Sequence, residues 1–251
     1  MTTPKVLVMV SVHSAVPWPN EILKVSYEGC DLQLVPPKLK KSGEFYDTYP
    51  LVAADGVDKR EATEKIQTVH RFLNALAWRE QSSIREVGLE VTSWATVQAV
   101  QVLGNSTTEE FSTANLSIPS SREARLALAF YRDGLSVQHT GFQVLSFFKI
   151  FNILHAAAKP QIEWMNARLS DVRGGHARAR IDELIALGED VGSYLYYSGR
   201  CAVAHAFAQP LLDPDNIEDE RRLRSDLPAI RELSAILMQR EWNVSPPRVA
   251  V

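Results

Sequence analysis

The segment Phe142–His155 is apolar on nearly every side of the helix that its residues predict. A helix that is apolar all round is buried by its neighbours. The segment therefore predicts the central element of a helical bundle, and its aromatic residues are expected to fill a core and not to stack on bases. Its large apolar residues are Phe142, Leu145, Phe147, Phe148, Ile150, Phe151, Ile153 and Leu154.

Shorter helical patterns lie on either side of this segment. Ser120-Ser-Arg-Glu123 predicts a capping box, in which a serine hydroxyl accepts a bond from a free amide and the glutamate reaches back. This box opens a helix that is expected to end near Leu135. After the apolar segment, Pro160 begins a shorter helix, because proline is favoured in the first turn.

The last two helical patterns are long. Apolar and small residues recur at three- and four-residue intervals over Ile181–Ala206, so a single helix, the longest of the chain, is predicted there, and Pro210 ends it. Asp215 or Asn216 is expected to cap the last helix. Pro228 is expected to kink that helix or to split it into two.

The first part of the chain has the alternation of strands in place of helical periodicity. Glu28-Gly29 lies between two alternating runs, and a two-residue loop with a glycine predicts a hairpin. One amphipathic helix, Asp58–Gln81, interrupts this part, because an N-cap signature precedes an apolar stripe. Strands are predicted over Lys5–His13, Ile22–Val35 as the hairpin, Glu44–Ala54 and Ile84–Thr92.

Serine, threonine and asparagine are concentrated in Asn105–Ser117. Such a shift in composition is typical of a linker between domains. We therefore expect an α+β protein, with a mostly β domain over residues 1–115 that has one amphipathic helix near 58–81, and an all-helical domain over residues 119–245. The segment Trp94–Leu103 fits a strand or a helix.

The composition argues against several classes of protein. A net charge of -3 and a pI near 6.1 give no global attraction to phosphate, so nucleic acid must bind through a local basic patch. Cys30 and Cys201 lie in different predicted domains, which argues against a disulfide framework and predicts a reducing, cytoplasmic compartment. No segment approaches the roughly 20 apolar residues of a membrane span.

Motifs for cofactors and metals are absent from the sequence. It has no glycine-rich phosphate loop, no paired-cysteine zinc spacing, no His-Glu-x-x-His and no Gly-x-Ser-x-Gly elbow. It also has no motif for reading a DNA sequence. We therefore expect neither a metal nor a cofactor.

The segment Tyr194–His205 is the one place where an arginine and a histidine interrupt a small, apolar helical run. Arg200 and His205 are five residues apart, so on an α-helix they leave the axis about 140° from each other. They do not share a face as residues four apart do. A site that uses both side chains therefore needs either a bend in the helix or a second copy of it across an interface.

These residues resemble a known motif. Arg200-Cys-Ala-Val-Ala-His205 is similar to the arginine, four to six residues, histidine motif of the HEPN superfamily, helical domains that include metal-independent ribonucleases. More closely, Phe130-Tyr-Arg132, Leu145–Lys149 and Ser198–Ala206 resemble the methylamine-utilization MauJ-like proteins over the second half of the chain. Cys201 follows the arginine, where active HEPN proteins often carry a polar residue such as asparagine.

The resemblance implies a helical domain that forms a homodimer and cleaves RNA without a metal. Arg200 is then expected to stabilise charge on the scissile phosphate, because arginine stays charged and offers fork-shaped donors. His205 is expected to transfer protons or to position the phosphate, because the unperturbed pKa of histidine is about 6.5. Tyr194, Tyr197 and Ser198 precede the pair and are expected to orient the substrate.

The segment 171–180 contributes further basic residues, among them Arg173 and Arg178. One interpretation is a basic loop that holds an RNA backbone near the site and so adds to substrate binding. The other is a glycine hinge that leads into a helix whose charges are solvated. The sequence leaves both interpretations open.

Other functions also stay open. In one of them Arg200 pairs with Asp190 or Asp133, and His205 caps carbonyls at the helix end. The domain is then a non-catalytic protein that binds RNA, a small ligand or a partner, as an accessory of methylamine utilization. Alternatively, the ribonuclease acts as a toxin or defence effector, with the β domain as its sensor.

Overall fold

The structure is a computed structural model that describes residues 5–12, 16–36, 50–55, 59–92, 111, 113, 116–205, 212–213 and 216–248. The chain divides into two compact units. The N-terminal unit consists of Met1–Ile118 with Pro247–Val251, and the helical unit is Pro119–Pro246. A five-stranded sheet in the first and helices in the second confirm the predicted α+β class.

The N-terminal unit is built on an antiparallel sheet. Its strands are β1 (Lys5–Val12), β2 (Leu23–Tyr27), β3 (Cys30–Val35), β4 (Leu51–Asp55) and β5 (Ile84–Thr92). They lie in the order β2-β3-β4-β1-β5. Every predicted strand is confirmed where the structure describes it. The first half of Glu44–Ala54, the last residue of Lys5–His13 and all of Trp94–Leu103 lie outside the described residues.

Strands β2 and β3 form the predicted hairpin, with Tyr27 paired to Cys30 across a two-residue turn. Glu28 and Gly29 have φ angles of 49° and 72°, so both lie in the left-handed region. Two successive left-handed residues define a type I′ turn, whose twist matches that of the flanking strands. The hairpin prediction is therefore confirmed together with its turn.

Helix α1 (Lys59–Glu80) packs on this sheet. Its Phe72 and Leu76 are fully buried in one apolar cluster with strand residues such as Val8. Burial of this kind stabilises a fold by about 25 cal/mol for each Å² of apolar surface removed from water. The predicted helix Asp58–Gln81 is confirmed, although its first residue lies outside the described residues.

The helical unit consists of helices of very different lengths. They are α2 (Arg122–Ser136), α3 (Thr140–Leu154), α4 (Ala158–Asn166), α5 (Gly175–Ala186), α6 (Val191–Tyr194), α7 (Ala202–Ala204) and α8 (Ile217–Trp242). A π-helical segment, Leu195–Cys201, connects α6 to α7. At 26 residues, α8 is the longest helix of the described residues.

The start of α2 differs from the prediction by one residue. Ser121, and not Ser120, is the N-cap, because its side chain accepts a hydrogen bond from the Ala124 amide at 3.0 Å. Glu123 then lies in the first turn, where its charge is favourable against the helix dipole. The predicted helix itself is confirmed.

Helix α3 is the central element of the unit, as its composition predicts. Phe147, Phe148 and Phe151 are at most 1% exposed. The helix contacts α2, α8 and the π-helical segment. Phe142 is the exception, since it lies in the first turn and is 57% exposed.

The single helix predicted over Ile181–Ala206 is wrong. Helix α5 ends at Ala186, and Gly188 follows with a φ of +79°, a conformation that costs glycine little. The amides of Gly188 and Glu189 bond to carbonyls of the last turn of α5, which is the Schellman arrangement. A left-handed glycine therefore stops the helix in the middle of an apolar repeat.

A new helix starts directly after this break. Asp190 caps α6 by accepting a hydrogen bond from the Ser193 amide at 2.7 Å. At the other end of the unit, Asn216 caps α8 as predicted, through a bond from the Glu218 amide at 3.0 Å. Helix α8 continues through Pro228, so the predicted split there is wrong.

Glu220, in the first turn of α8, links this helix to the start of α3. Its carboxylate accepts hydrogen bonds from Arg224 at 2.9 Å and from the Thr140 hydroxyl at 2.8 Å. These bonds, that of Arg224 first, hold the pKa of Glu220 below its usual range. Because the pKa of Glu220 is lower in the folded than in the unfolded protein, its carboxylate stabilises the fold at pH values above the unfolded pKa. This stabilisation is lost as the pH falls through the folded pKa.

We expect Glu220→Gln to lower the urea midpoint of unfolding at neutral pH. In acid below the folded pKa of Glu220 the difference should vanish, because the wild-type carboxyl is then also uncharged. Urea unfolding of both proteins at the two pH values measures this. Arg224→Ala removes one of the two partners and should reproduce part of the loss at neutral pH. A midpoint difference that persists in acid would contradict the prediction.

Candidate functional site

The π-helical segment Leu195–Cys201 carries Tyr197, Ser198 and Arg200 of the predicted site residues. Its backbone bonds span five residues, as in the bond from the Ala202 amide to the Tyr197 carbonyl. Short π segments within α-helices occur frequently at functional sites. Arg222, from α8, donates a hydrogen bond to the Ser198 carbonyl at 2.5 Å, and a side chain that binds a helix carbonyl in this way disturbs the regular bonding pattern.

Arg200 and His205 come together within one chain. On an α-helix the two side chains leave the axis about 140° apart. Arg200 lies in the π-helical segment, and the short helix α7 (Ala202–Ala204) connects it to His205. The helix ends at His205, whose backbone is extended, with φ -134° and ψ 116°. As a result, the Arg200 Nη1 and His205 Nε2 atoms lie 3.4 Å apart.

The contact between Arg200 and His205 joins a guanidinium to an imidazole nitrogen. A guanidinium has only donors, so a hydrogen bond from it is accepted by a lone pair on His205 Nε2. A proton acceptor and a permanent positive charge thus lie side by side.

Cys201 and Tyr196 contact the same guanidinium. Arg200 Nη1 lies 3.6 Å from Cys201 Sγ, and Arg200 Cζ lies 5.5 Å from the centroid of the Tyr196 ring, a cation–π distance. Burial raises the pKa of Tyr196, and the charge of Arg200 acts in the opposite direction. These contacts hold the guanidinium in place from two sides.

Among the described residues, no carboxylate lies within 4.0 Å of the Arg200 nitrogen atoms. Asp190, one acidic partner considered from the sequence, accepts instead from the Ser193 amide and from Asn166 at 2.9 Å. The other, Asp133, is exposed on α2. Within the part of the chain that the structure describes, the charge of Arg200 is therefore available to an external anion.

Tyr194 forms a cluster with Arg180 and Asp226, in which Asp226 is fully buried and the other two are partly buried. Arg180 donates hydrogen bonds to Asp226 Oδ1 at 2.8 Å and to the Tyr194 hydroxyl at 3.0 Å. Burial raises the pKa of Asp226, although the bond from Arg180 acts to lower it. Burial also raises the pKa of Tyr194. Tyr194, predicted to orient a substrate, is thus engaged with internal partners.

Sequence reasoning missed the structural role of Asp226 and Arg222. Asp226 is 0% exposed, between the buried Leu223 and Ile230 of α8. A carboxylate at such a position is almost never buried without a cationic partner. The interruption of the apolar stripe of α8 by Asp226 was therefore the signal for a buried ion pair near the site.

Tyr197 and Ser198, the other two residues that were predicted to orient the substrate, lie on the π-helical segment itself. Tyr197 is 47% exposed, and its ring lies 5.2 Å from the Tyr196 ring in an edge-to-face arrangement. Ser198 is held through its carbonyl by Arg222. Tyr197 therefore presents an exposed aromatic side chain beside the residues that hold Arg200.

The basic residues before and within α5 are separate from this pair. The Arg173 amide donates to Glu232 at 2.5 Å, and the Arg178 guanidinium donates to the Leu169 carbonyl at 2.7 Å and to a carboxylate on its own helix. Glu232 follows Arg222 by ten residues on α8, which at 1.5 Å per residue is roughly 15 Å. Arg173 thus binds a partner about this far from Arg222 along α8, whereas the partners of Arg178 are Leu169 and Asp182.

Within the described ranges, no three histidine, cysteine, aspartate or glutamate residues are grouped so that they could hold a metal ion. No single described helix is long and apolar enough to cross a membrane. Helices α3 and α4 pass that test only as a pair, with a bend of 100° between them.

The helical unit is thus a bundle in which Arg200, on a π-helical segment, contacts His205 at the end of α7. Residues 127–239 match the family model described as methylamine utilization protein MauJ. The matched range includes both Arg200 and His205, so the resemblance to MauJ-like proteins is confirmed for this part of the chain. No curated protein and no solved structure matches the chain.

Proposed function

We propose that the helical unit is a metal-independent endoribonuclease of the HEPN type, which cleaves RNA at Arg200 and His205. The observation that supports this best is the 3.4 Å contact between the Arg200 and His205 side chains. A proton acceptor beside a positive charge suits the attack of an RNA hydroxyl on its neighbouring phosphate. The resemblance of this motif to that of HEPN domains supports the same reaction.

In the proposed reaction the 2′-hydroxyl attacks phosphorus, and the bond from phosphorus to the 5′ oxygen of the next nucleotide breaks. Neutral His205 takes the proton of the hydroxyl, and the imidazolium returns a proton to the leaving oxygen. When RNA binds, the Arg200 guanidinium leaves the imidazole and donates hydrogen bonds to the scissile phosphate. These bonds stabilise the negative charge that the phosphate gains in the reaction. The products are a 2′,3′-cyclic phosphate and a 5′-hydroxyl.

A homodimer is part of the proposal. Two facing copies of the π-helical segment offer two arginine–histidine pairs to one RNA, as the resemblance to HEPN domains implies. The exposed aromatic side chain of Phe142, at 57%, provides apolar surface for such a contact. The enzyme would act in the cytoplasm as a toxin or defence effector, with the N-terminal unit as the part that responds to a trigger.

The second candidate is a non-catalytic protein that binds RNA, a ligand or a partner, as an accessory of methylamine utilization. The match of residues 127–239 to MauJ favours it. Cys201 favours it as well, because this position often carries a polar residue in active HEPN proteins. In that case Arg200 is an anion-binding residue and His205 fixes its orientation.

The full chain should cut a mixed RNA in EDTA as fast as without it, because the proposed reaction uses only side chains. The fragments should carry 5′-hydroxyls, which polynucleotide kinase labels directly, and cyclic phosphates at their other ends. Gel electrophoresis of the labelled fragments measures both. RNA with 2′-O-methyl groups is the matched control, since it lacks the attacking hydroxyl and should stay intact.

Two results would decide against the ribonuclease. Cleavage that needs a divalent metal, or that leaves 5′-phosphates, would mean a different reaction. Intact RNA after incubation with folded protein that still binds it, measured by fluorescence anisotropy, would favour the binding protein.

A further inference from the structure

The residues around Tyr197 combine an exposed ring with a nearby cation. The Tyr197 ring and the Arg200 guanidinium are centred 5.2 and 5.5 Å from the Tyr196 ring, so they lie within about 11 Å of each other. Since no carboxylate of the described residues forms an ion pair with Arg200, a phosphate can bind to its guanidinium. A base attached to that strand then lies near Tyr197.

We infer that the Tyr197 ring stacks against one unpaired RNA base and thereby makes the Arg200–His205 site prefer single-stranded RNA to duplex RNA. This inference rests on the proposed ribonuclease function and adds a specificity-determining residue to it. The chemistry is that of aromatic side chains which bind splayed bases, since each base has a face for stacking. Bases of a duplex are already stacked and paired, so their faces are closed to the ring.

Tyr196 and Phe148, the two rings in line with Tyr197, are too buried to bind a base. Tyr196 is 6% exposed and lies between the Arg200 guanidinium and Phe148, whose ring centroid is 6.2 Å away. Phe148 is 1% exposed. Phe148, Tyr196 and Tyr197 contact one another in that order, and Tyr197 is the exposed ring of the three. Its edge-to-face contact with Tyr196 fixes its position.

The position of Tyr197 follows from the π-helical segment. Leu195, Tyr196 and Gly199 of this segment are buried, whereas Tyr197 faces solvent. Tyr197 and Arg200 lie on the same segment, and the Tyr196 ring contacts both side chains.

The experiment measures binding of a short, unstructured, 2′-O-methylated RNA to the full protein by fluorescence anisotropy. Tyr197→Ala and Tyr197→Leu should weaken this binding roughly 5- to 150-fold, which is the range for loss of one stacked base. Tyr197→Phe keeps the ring and should bind like the wild type. The same strand annealed to its complement should bind all four proteins equally and more weakly than the single strand.

Each alternative result overturns the inference in a recognisable way. Equal binding by Tyr197→Ala and wild type, in a protein that cleaves RNA in EDTA, removes the stacking role and leaves the ribonuclease intact. A loss in Tyr197→Phe as large as in Tyr197→Ala assigns the effect to the hydroxyl and not to the ring. Absence of RNA binding and cleavage by the wild type overturns both proposals together.

Discussion

His205→Ala should lower the rate of RNA cleavage by roughly 10²- to 10⁴-fold, because it removes the group that accepts and returns the proton. Arg200→Ala should lower this rate by roughly 10²- to 10³-fold, because it removes a group that donates hydrogen bonds to the charge developing on the phosphate. Single-turnover cleavage of a labelled RNA in EDTA measures both rates. Neither substitution should change the thermal midpoint by much, since both side chains are only partly buried.

The double variant distinguishes a joint site from two separate effects. Residues that act in one step are not additive, so Arg200→Ala with His205→Ala should be little slower than the slower single variant. Arg200→Lys keeps the charge and loses the fork of donors, so an intermediate rate is expected. Arg221→Ala is the matched control, because Arg221 is 68% exposed and pairs with Glu218 on the same helix turn.

Two results would contradict the assignment of this pair. Cleavage that persists in His205→Ala and Arg200→Ala would place the reaction elsewhere in the chain. A fall in rate that is matched by Arg221→Ala would indicate a general loss of positive charge, since long-range attraction of RNA depends on the sum of charges.

Local signals were sufficient for most elements of the fold. The hairpin at Glu28-Gly29 was predictable, because a left-handed two-residue turn depends on the residues of the turn itself. The same is true of the cap at Asn216, where a side chain satisfies amides next to it in sequence. The central position of α3 followed from its apolar surface, which no other arrangement can remove from water.

The geometry of the site could not be read from such signals. Apolar periodicity over Ile181–Ala206 is the same for one helix and for two pieces with a π-helical segment, because the period is averaged over many residues. The segment depends on a bond from Arg222 to the Ser198 carbonyl, residues 24 apart in sequence. The 140° expected between Arg200 and His205 holds for a continuous α-helix, whereas the chain is π-helical at Arg200 and extended at His205.

The buried ion pair of Arg180 and Asp226 should be the most sensitive polar contact of the helical unit. Arg180→Met is expected to lower the free energy of unfolding by about 3–5 kcal/mol, because it leaves a buried carboxylate without its partner. The Asp226 side chain is 0% exposed and that of Arg180 is 12% exposed. Burial alone would lower the pKa of Arg180, and hydrogen bonds to Glu183 and Asp226 raise it above its usual value. Urea unfolding followed by tryptophan fluorescence measures the loss.

Acid and a second substitution test whether a buried charge is the cause. Burial raises the pKa of Asp226, so its neutral form is favoured in the folded state, and its ionisation costs stability as the pH rises from the usual aspartate range. Without Arg180 this cost grows, so the loss in Arg180→Met should be larger at neutral pH than in acid. Arg180→Met with Asp226→Leu should recover most of it, since an apolar pair often replaces a buried ion pair without loss. If the double variant is no more stable than Arg180→Met, or if acid leaves the loss unchanged, the packing of Arg180 on the Tyr194 ring, 5.7 Å away, is the larger contribution.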